Sequence, residues 1–229
     1  MDETQGAVSR MASPNPAAPR WAVVVPVKGS PGAKSRLGAL PKRAALAEAF
    51  ALDTVAALVA AFVVERVFVV TGSTHLGGLL AGLGAVMVPE APGDETGHAR
   101  LNAAIAQGIA AARRACPDAN LAVMTGDLPS LRPADVETAL SLAASHPRSM
   151  VPDADGVGTT TLLARAGVTF MPRFGPGSRA AHEADGHIAL DLSPTSSMRR
   201  DVDTAADLDA ARALGLGPHT SALLALSKR

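Results

Sequence analysis

Four short apolar runs, each followed by a stretch suited to a helix, constrain this chain more than any other feature of its sequence. The first, Ala22 to Val27, is aliphatic throughout and leaves no polar position for a solvent-facing side. Strands of that kind are covered on both faces, as in parallel sheets dressed with helices. Val67–Thr71, Ala85–Val88 and Leu121–Met124 repeat the signal. Helices are expected from Pro41 to about Ala60, from Ser73 to Ala81, from about His98 to Arg114, and from Pro133 to about Ala144. Proline suits the first turn of a helix, where its missing N–H is not needed. This alternation predicts an α/β fold: a mainly parallel sheet flanked by helices.

Beyond Ala144 the rhythm changes. Residues 149–203 read as short strands, glycine-rich turns and one brief helix starting near Pro176 or Gly177. Helices return over Ala205–Leu214 and Pro218–Leu226. The expected organisation is a disordered tail over residues 1–20 and one domain over 21–229, with 149–203 an insertion-like region inside it. The tail is rich in Ala, Pro and Ser, carries Asp2 and Glu3, and has no apolar core of a signal peptide. Ala44 to Val64 is long and apolar, but Glu48 and Asp53 interrupt it, so a buried helix is expected rather than a membrane span. A formal net charge of zero argues against a broad nucleic-acid or membrane footprint. Cys116 is the single cysteine, so no disulfide framework exists, and a reducing, cytoplasmic setting is the simpler expectation.

Three groups of residues could carry chemistry. After the first strand comes a loop from Lys28 to Leu37 that holds two of the chain's four lysines, Lys28 and Lys34, together with Arg36. Glycines there allow a polyanion to approach the backbone, and the cations compensate its charge. Ligands of open α/β sheets bind outside the carboxyl ends of strands, where this loop sits. The same composition also suits an ordinary solvated basic loop, and the Walker A spacing is absent. The second group is acidic: Asp127 in a Gly-Asp-Leu-Pro turn after a strand, and Asp201 and Asp203 two residues apart. In extended backbone Asp201 and Asp203 face one side, and hard oxygen ligands of this kind suit Mg²⁺. The competing reading makes Asp203 the N-cap of the helix beginning near Ala205. The third group joins Asp155-Gly156-Val157-Gly158-Thr159-Thr160-Thr161 with Phe174-Gly175-Pro176-Gly177-Ser178. Glycine-framed hydroxyls at a helix start suggest a phosphate cradle built on free N–H groups, while Ser178 as a plain cap is the alternative. His98, His182 and His187 lack the spacing of a zinc site.

Taken together these pieces resemble the guanylyltransferases of coenzyme F-420 biosynthesis, which use 2-phospho-L-lactate or phosphoenolpyruvate. The resemblance spans Trp21 to about Leu216. It rests on Val25-Pro26-Val27-Lys28 with Ala33-Lys34-Ser35-Arg36-Leu37, on Leu101-Asn102-Ala103-Ala104-Ile105, and on Gly126-Asp127-Leu128-Pro129. The 155–163 stretch, Phe174 to Ser178, His182 and Asp201-Val202-Asp203-Thr204 complete it. The resemblance implies a nucleotide-diphospho-sugar transferase-like, Rossmann-like fold. It further implies GTP held near Pro26, Lys28, Lys34 and Asn102, and Mg²⁺ ions near Asp127, Asp201 and Asp203. Acceptor phosphate contacts would come from Thr160, Gly175 and Ser178. Here the typical Asp-Gly-Gly-Thr-Asn is replaced, which leaves Thr159 and Thr160 as rival acceptor contacts. The stretch from Gly93 to Arg100 is longer than the family's usual Gly-Leu-Asn.

The reaction expected is attack by an acceptor phosphate oxygen on the α-phosphorus of GTP, with pyrophosphate leaving. A phosphomonoester is largely dianionic at neutral pH, its second pKa being about 6, so no general base is required. Lys28, Lys34 and Arg36 would then act catalytically by steadying the triphosphate. Phosphoenolpyruvate is the expected acceptor and 2-phospho-L-lactate the alternative. Other nucleotidyltransferases of this fold, a non-catalytic nucleotide sensor, and an enzyme needing a downstream pathway enzyme as partner remain open at this level.

Overall fold

The computed structural model describes residues 20–28 and 43–226. The expected tail, except Arg20, lies outside these residues, as do Lys34, Arg36 and the Pro41 helix start. Strands are β1 (Trp21–Pro26), β2 (Val64–Thr71), β3 (Val86–Pro89), β4 (Asn120–Met124), β5 (Arg148–Pro152), β6 (Thr159–Ala164) and β7 (Ile188–Ala189). Helices are α1 (Arg43–Ala60), α2 (Thr74–Gly82), α3 (Gly97–Ala115), α4 (Pro133–Ala143), α5 (Ser178–Ala184), α6 (Ala205–Leu214) and α7 (Pro218–Leu226). One seven-stranded sheet runs in the order β3-β2-β1-β4-β6-β5-β7.

The β1–β2, β1–β4, β2–β3 and β5–β7 pairings are parallel, whereas β6 runs antiparallel to both β4 and β5. The mainly parallel sheet expected from the sequence is therefore present, with one reversed strand in the 149–203 region. That region adds strands to the same sheet and belongs to the same α/β domain.

The double burial of β1 follows its alternation. Val23 and Val25 point into a core shared with Val55 and Leu58 of α1 and Val136 and Leu140 of α4. Ala22 and Val24 point the other way, onto Ala104 and Ile105 of α3. Each fully buried aliphatic side chain of this size stabilises the fold by about 1.5–3 kcal/mol. Gly108 lets α3 lie close, since a Cβ there would meet Val24 Cγ1 at 2.4 Å. Strand β2 begins three residues earlier than its apolar run, at Val64, because the exposed Glu65 and Arg66 hide the pattern while Val64 pairs with Trp21.

Helix α1 is covered twice, which explains its unusual apolarity. Its second face packs Leu46 and Phe50 against Val202, Leu208 and Ala211. Buried Asp53 accepts from the His219 and Thr220 N–H groups, both at 2.9 Å, and so caps the start of α7. An acid that interrupts an apolar helix here fastens another helix to it. No helix of the described residues is long and apolar enough to cross a membrane.

Candidate active site

A cavity of about 990 Å³ opens at the carboxyl ends of β1 and β4, where the fold predicts a ligand. Pro26 and Lys28 reach it from the end of β1, and Asp127 from the turn after β4. Asp201 and Asp203 line it, as do Gly175 and Ser178. The acidic and glycine-rich groups thus share one wall system with Lys28, some hundred positions earlier in the chain.

Several local contacts build the acidic side. Buried Thr54 of α1 accepts from Leu128 N–H at 3.0 Å, which holds the Gly-Asp-Leu-Pro turn. The N–H of Val202 donates to the Asp127 carbonyl at 3.0 Å, so the 201–203 segment runs directly beside that turn. Val202 is buried while its two neighbours are half-buried, which puts both aspartates on the opposite side from the core. Thr204, not Asp203, caps α6: its hydroxyl accepts from Asp207 N–H, and the Asp207 carboxylate accepts in return from Thr204 N–H at 2.7 Å. That capping box corrects the expectation of Asp203 as N-cap and leaves its carboxylate on the cavity wall.

The donor set is of hard carboxylate oxygens, as a small divalent cation requires. Among the described residues, no three His, Cys, Asp or Glu side chains converge into a ready-made metal cage. Such a cation usually keeps waters and takes one or two carboxylates plus substrate phosphates, so an open carboxylate wall fits it better than a closed cage does.

The glycine-rich side is shaped by groups the sequence reading missed. Asp153 accepts from Val157 N–H at 2.9 Å and Gly158 N–H at 2.7 Å, closing the turn before β6. A Cβ at Gly158 would sit 2.3 Å from the Asp153 carboxylate, so glycine is required there. The signal available was an acidic side chain heading the glycine-rich turn, able to accept from backbone N–H groups a few residues on. Arg179 N–H donates to Val157 O at 3.2 Å and Ser178 N–H to Gly175 O at 3.1 Å. These two N–H groups at the start of α5 are spent inside the loops. The expected cradle of free helix N–H groups is corrected at these two positions, while Ser178 lines the cavity.

Thr160 and Asn102 stand elsewhere than expected. The fully buried Thr160 hydroxyl donates to Met198 O at 2.6 Å, and Thr160 does not line the cavity, whereas Thr159 does. The Asn102 amide donates to Phe174 O at 3.0 Å and accepts from Phe174 N–H at 2.9 Å. Its side chain clasps the acceptor-side loop to α3 and is not part of the cavity lining. Buried His182 accepts at Nε2 from Arg173 N–H at 3.0 Å. Burial, with help from nearby His187, pushes its pKa down to about 4, so the ring is neutral at physiological pH.

Comparison with known proteins identifies the family and the fold. Residues 32–184 match the MobA-like NTP transferase domain family. The phosphoenolpyruvate guanylyltransferase of Thermomonospora curvata is 49% identical over 207 residues, covering 90% of this chain and 89% of that protein. The protein of the same name from Streptomyces coelicolor is 46% identical over 209 residues, covering 90% and 96% respectively. Among solved structures, 4-diphosphocytidyl-2C-methyl-D-erythritol synthase superposes with a TM-score of 0.55 at 14% identity, over 86% of this chain and 99% of that one. A likeness that distant speaks for the fold alone. A two-sided sheet, a cavity at its carboxyl edge and these sequence identities converge: the chain is a guanylyltransferase-type nucleotidyltransferase and belongs to the family of the phosphoenolpyruvate guanylyltransferases, within the MobA-like NTP transferases.

Proposed function

We propose that this chain transfers GMP from GTP to phosphoenolpyruvate, giving enolpyruvyl-2-diphospho-5'-guanosine and pyrophosphate, as a cytoplasmic step of coenzyme F-420 biosynthesis. One arrangement carries the reading: three carboxylates and the Phe174–Ser178 loop line a single cavity at the sheet's carboxyl edge. The names of the relatives supply the acceptor.

An acceptor phosphate oxygen attacks the α-phosphorus. A new oxygen–phosphorus bond forms there while the bond to the bridging β-oxygen breaks, and pyrophosphate leaves with that electron pair. The dianionic nucleophile has no proton to lose, in keeping with a cavity that needs no general base. Asp127, Asp201 and Asp203 would hold divalent metal, with Mg²⁺ as the ion. When bound, Mg²⁺ supplies charge neutralisation for two anionic reactants that otherwise repel each other. Lys28 at the end of β1, with Lys34 and Arg36 from the adjoining loop, steadies the triphosphate and the departing pyrophosphate. Pro26 borders the nucleotide. Gly175 and Ser178 meet the acceptor, with Thr159 rather than the Thr160 hydroxyl beside them. The activated diphosphate product then suits a downstream enzyme that transfers its organic half.

Mass spectrometry of products from GTP and Mg²⁺, with either phosphoenolpyruvate or 2-phospho-L-lactate, tests this directly. A GMP adduct formed with phosphoenolpyruvate is the expected result. Preferential adduct formation with phospholactate replaces the acceptor, and no adduct with either overturns the proposal.

A further inference from the structure

We infer that His182 is a positioning residue for the acceptor side of the cavity: it fixes the path of residues 173–178 and so governs acceptor affinity without touching the nucleotide. The inference rests on the proposed function and adds a residue to it.

His182 is wholly buried, yet no part of the chemistry proposed above uses it. A backbone N–H can only donate, so the bond from Arg173 N–H makes Nε2 the unprotonated nitrogen. The ring proton therefore sits on Nδ1, 3.0 Å from the Thr159 hydroxyl oxygen. One neutral imidazole on α5 thereby ties β6 at Thr159 to the incoming segment at Arg173. Phe174 packs edge-on against the same ring, with centroids 5.4 Å apart.

The next two residues are pinned as well. Asn102 takes both backbone groups of Phe174. Gly175 adopts φ of +145°, and a Cβ there would stand 3.1 Å from the His98 ring. Three consecutive residues are thus held by α5, by α3 and by a conformation that favours glycine. Three residues beyond Gly175, Ser178 lines the cavity, and on the far side of the imidazole so does Thr159. His182 therefore sits behind both acceptor-side residues, while Pro26 and Lys28 lie at and just beyond the carboxyl end of β1.

The test separates the two ring nitrogens. In His182→Gln the amide oxygen can stand where Nε2 accepts from Arg173, whereas His182→Asn is too short to reach it. The expected result for His182→Asn is a rise of about tenfold to a hundredfold in KM for phosphoenolpyruvate, the scale of a displaced positioning group. KM for GTP stays within about twofold, and His182→Gln returns most of the acceptor affinity. An unchanged acceptor KM, or equal rises in both KM values, overturns the inference. Hydrogen exchange of residues 173–178 in the full chain needs no catalysis: exchange quickens in His182→Asn and is restored in His182→Gln. Equal exchange in all three proteins also overturns it, even where wild-type protein forms no adduct and the proposed function itself falls. Should His182→Asn not fold, Thr159→Val removes the hydroxyl facing Nδ1, and unaltered hydrogen exchange of residues 173–178 in that variant counts against the inference.

Discussion

The backbone N–H of Val202 donates to the carbonyl of Asp127 at 3.0 Å, so residues 75 positions apart in the chain run side by side at the edge of the cavity. Val202 itself is buried in the core made with Phe50 and Leu208, which fixes the segment from behind. The flanking aspartates face the cavity as a consequence of that packing. Carboxylate placement and helix packing are therefore one structural fact in this protein.

This arrangement separates activity from stability. Asp127→Asn and Asp203→Asn keep the side-chain volume and leave the Val202–Asp127 backbone bond in place. Each is expected to lower kcat by about a thousandfold or more, the scale of losing several kcal/mol of metal-assisted charge stabilisation. Thermal melting should move by only a few degrees. Steady-state pyrophosphate release at saturating Mg²⁺, run beside the melts, checks both halves. Near-normal turnover would remove these residues from the metal site.

Much of the fold was legible because β1 and the apolar stretches of β2 and β4, Val67–Val70 and Leu121–Met124, are buried on both faces and carry no polar residue to blur the pattern. Asp127 was legible as a candidate because it follows an apolar strand, and Asp201 and Asp203 because they stand two residues apart. Their assembly was legible only through the family resemblance, since it depends on a backbone bond between Val202 and Asp127 that leaves no trace in residue type. Thr160 misled for a related reason. Neighbours in a strand face opposite sides, and only the register of β6 decides which of two threonines meets the cavity. His182 was passed over because a search for zinc spacing asks about partners in sequence, whereas its partners are Thr159 and a backbone N–H.

Thr160 should behave as a core residue. Thr160→Val removes the donor to Met198 O and leaves a buried carbonyl with one bond fewer. The expected cost is about 1–3 kcal/mol of stability, read by urea unfolding, with KM for phosphoenolpyruvate changed less than about twofold. Thr159→Val is expected to show the reverse weighting, with the larger effect on KM.

Asp53 supplies a third contrast, outside the cavity lining. Its carboxylate accepts two N–H groups at the start of α7, and Gly217 fits only because a Cβ there would fall 2.4 Å from the carboxylate carbon. Asp53→Ala leaves both donors unpaired and should cost about 2–4 kcal/mol. The kinetic constants of the folded fraction should be unaltered. Denaturant midpoints together with KM measured well below the melting temperature would expose any error in this division.

The buried histidine also sets how stability depends on pH. In the unfolded chain His182 titrates near 6.5, whereas in the fold it does so at about 4, because burial opposes its charge and His187 and Arg173 add to that opposition against the pull of Asp185. Between those values the unfolded chain binds a proton that the native one does not. Stability contributed by the neutral ring is therefore complete above about pH 6.5 and declines as pH falls towards 4, by at most about 3 kcal/mol. His187, whose pKa is also lowered by burial, acts in the same direction. His182→Gln cannot take up that proton. Its unfolding free energy should fall less than wild type's between pH 7 and pH 4.5, so the two curves converge or cross on the acid side. Parallel curves across that interval would show that folding does not lower the pKa of His182.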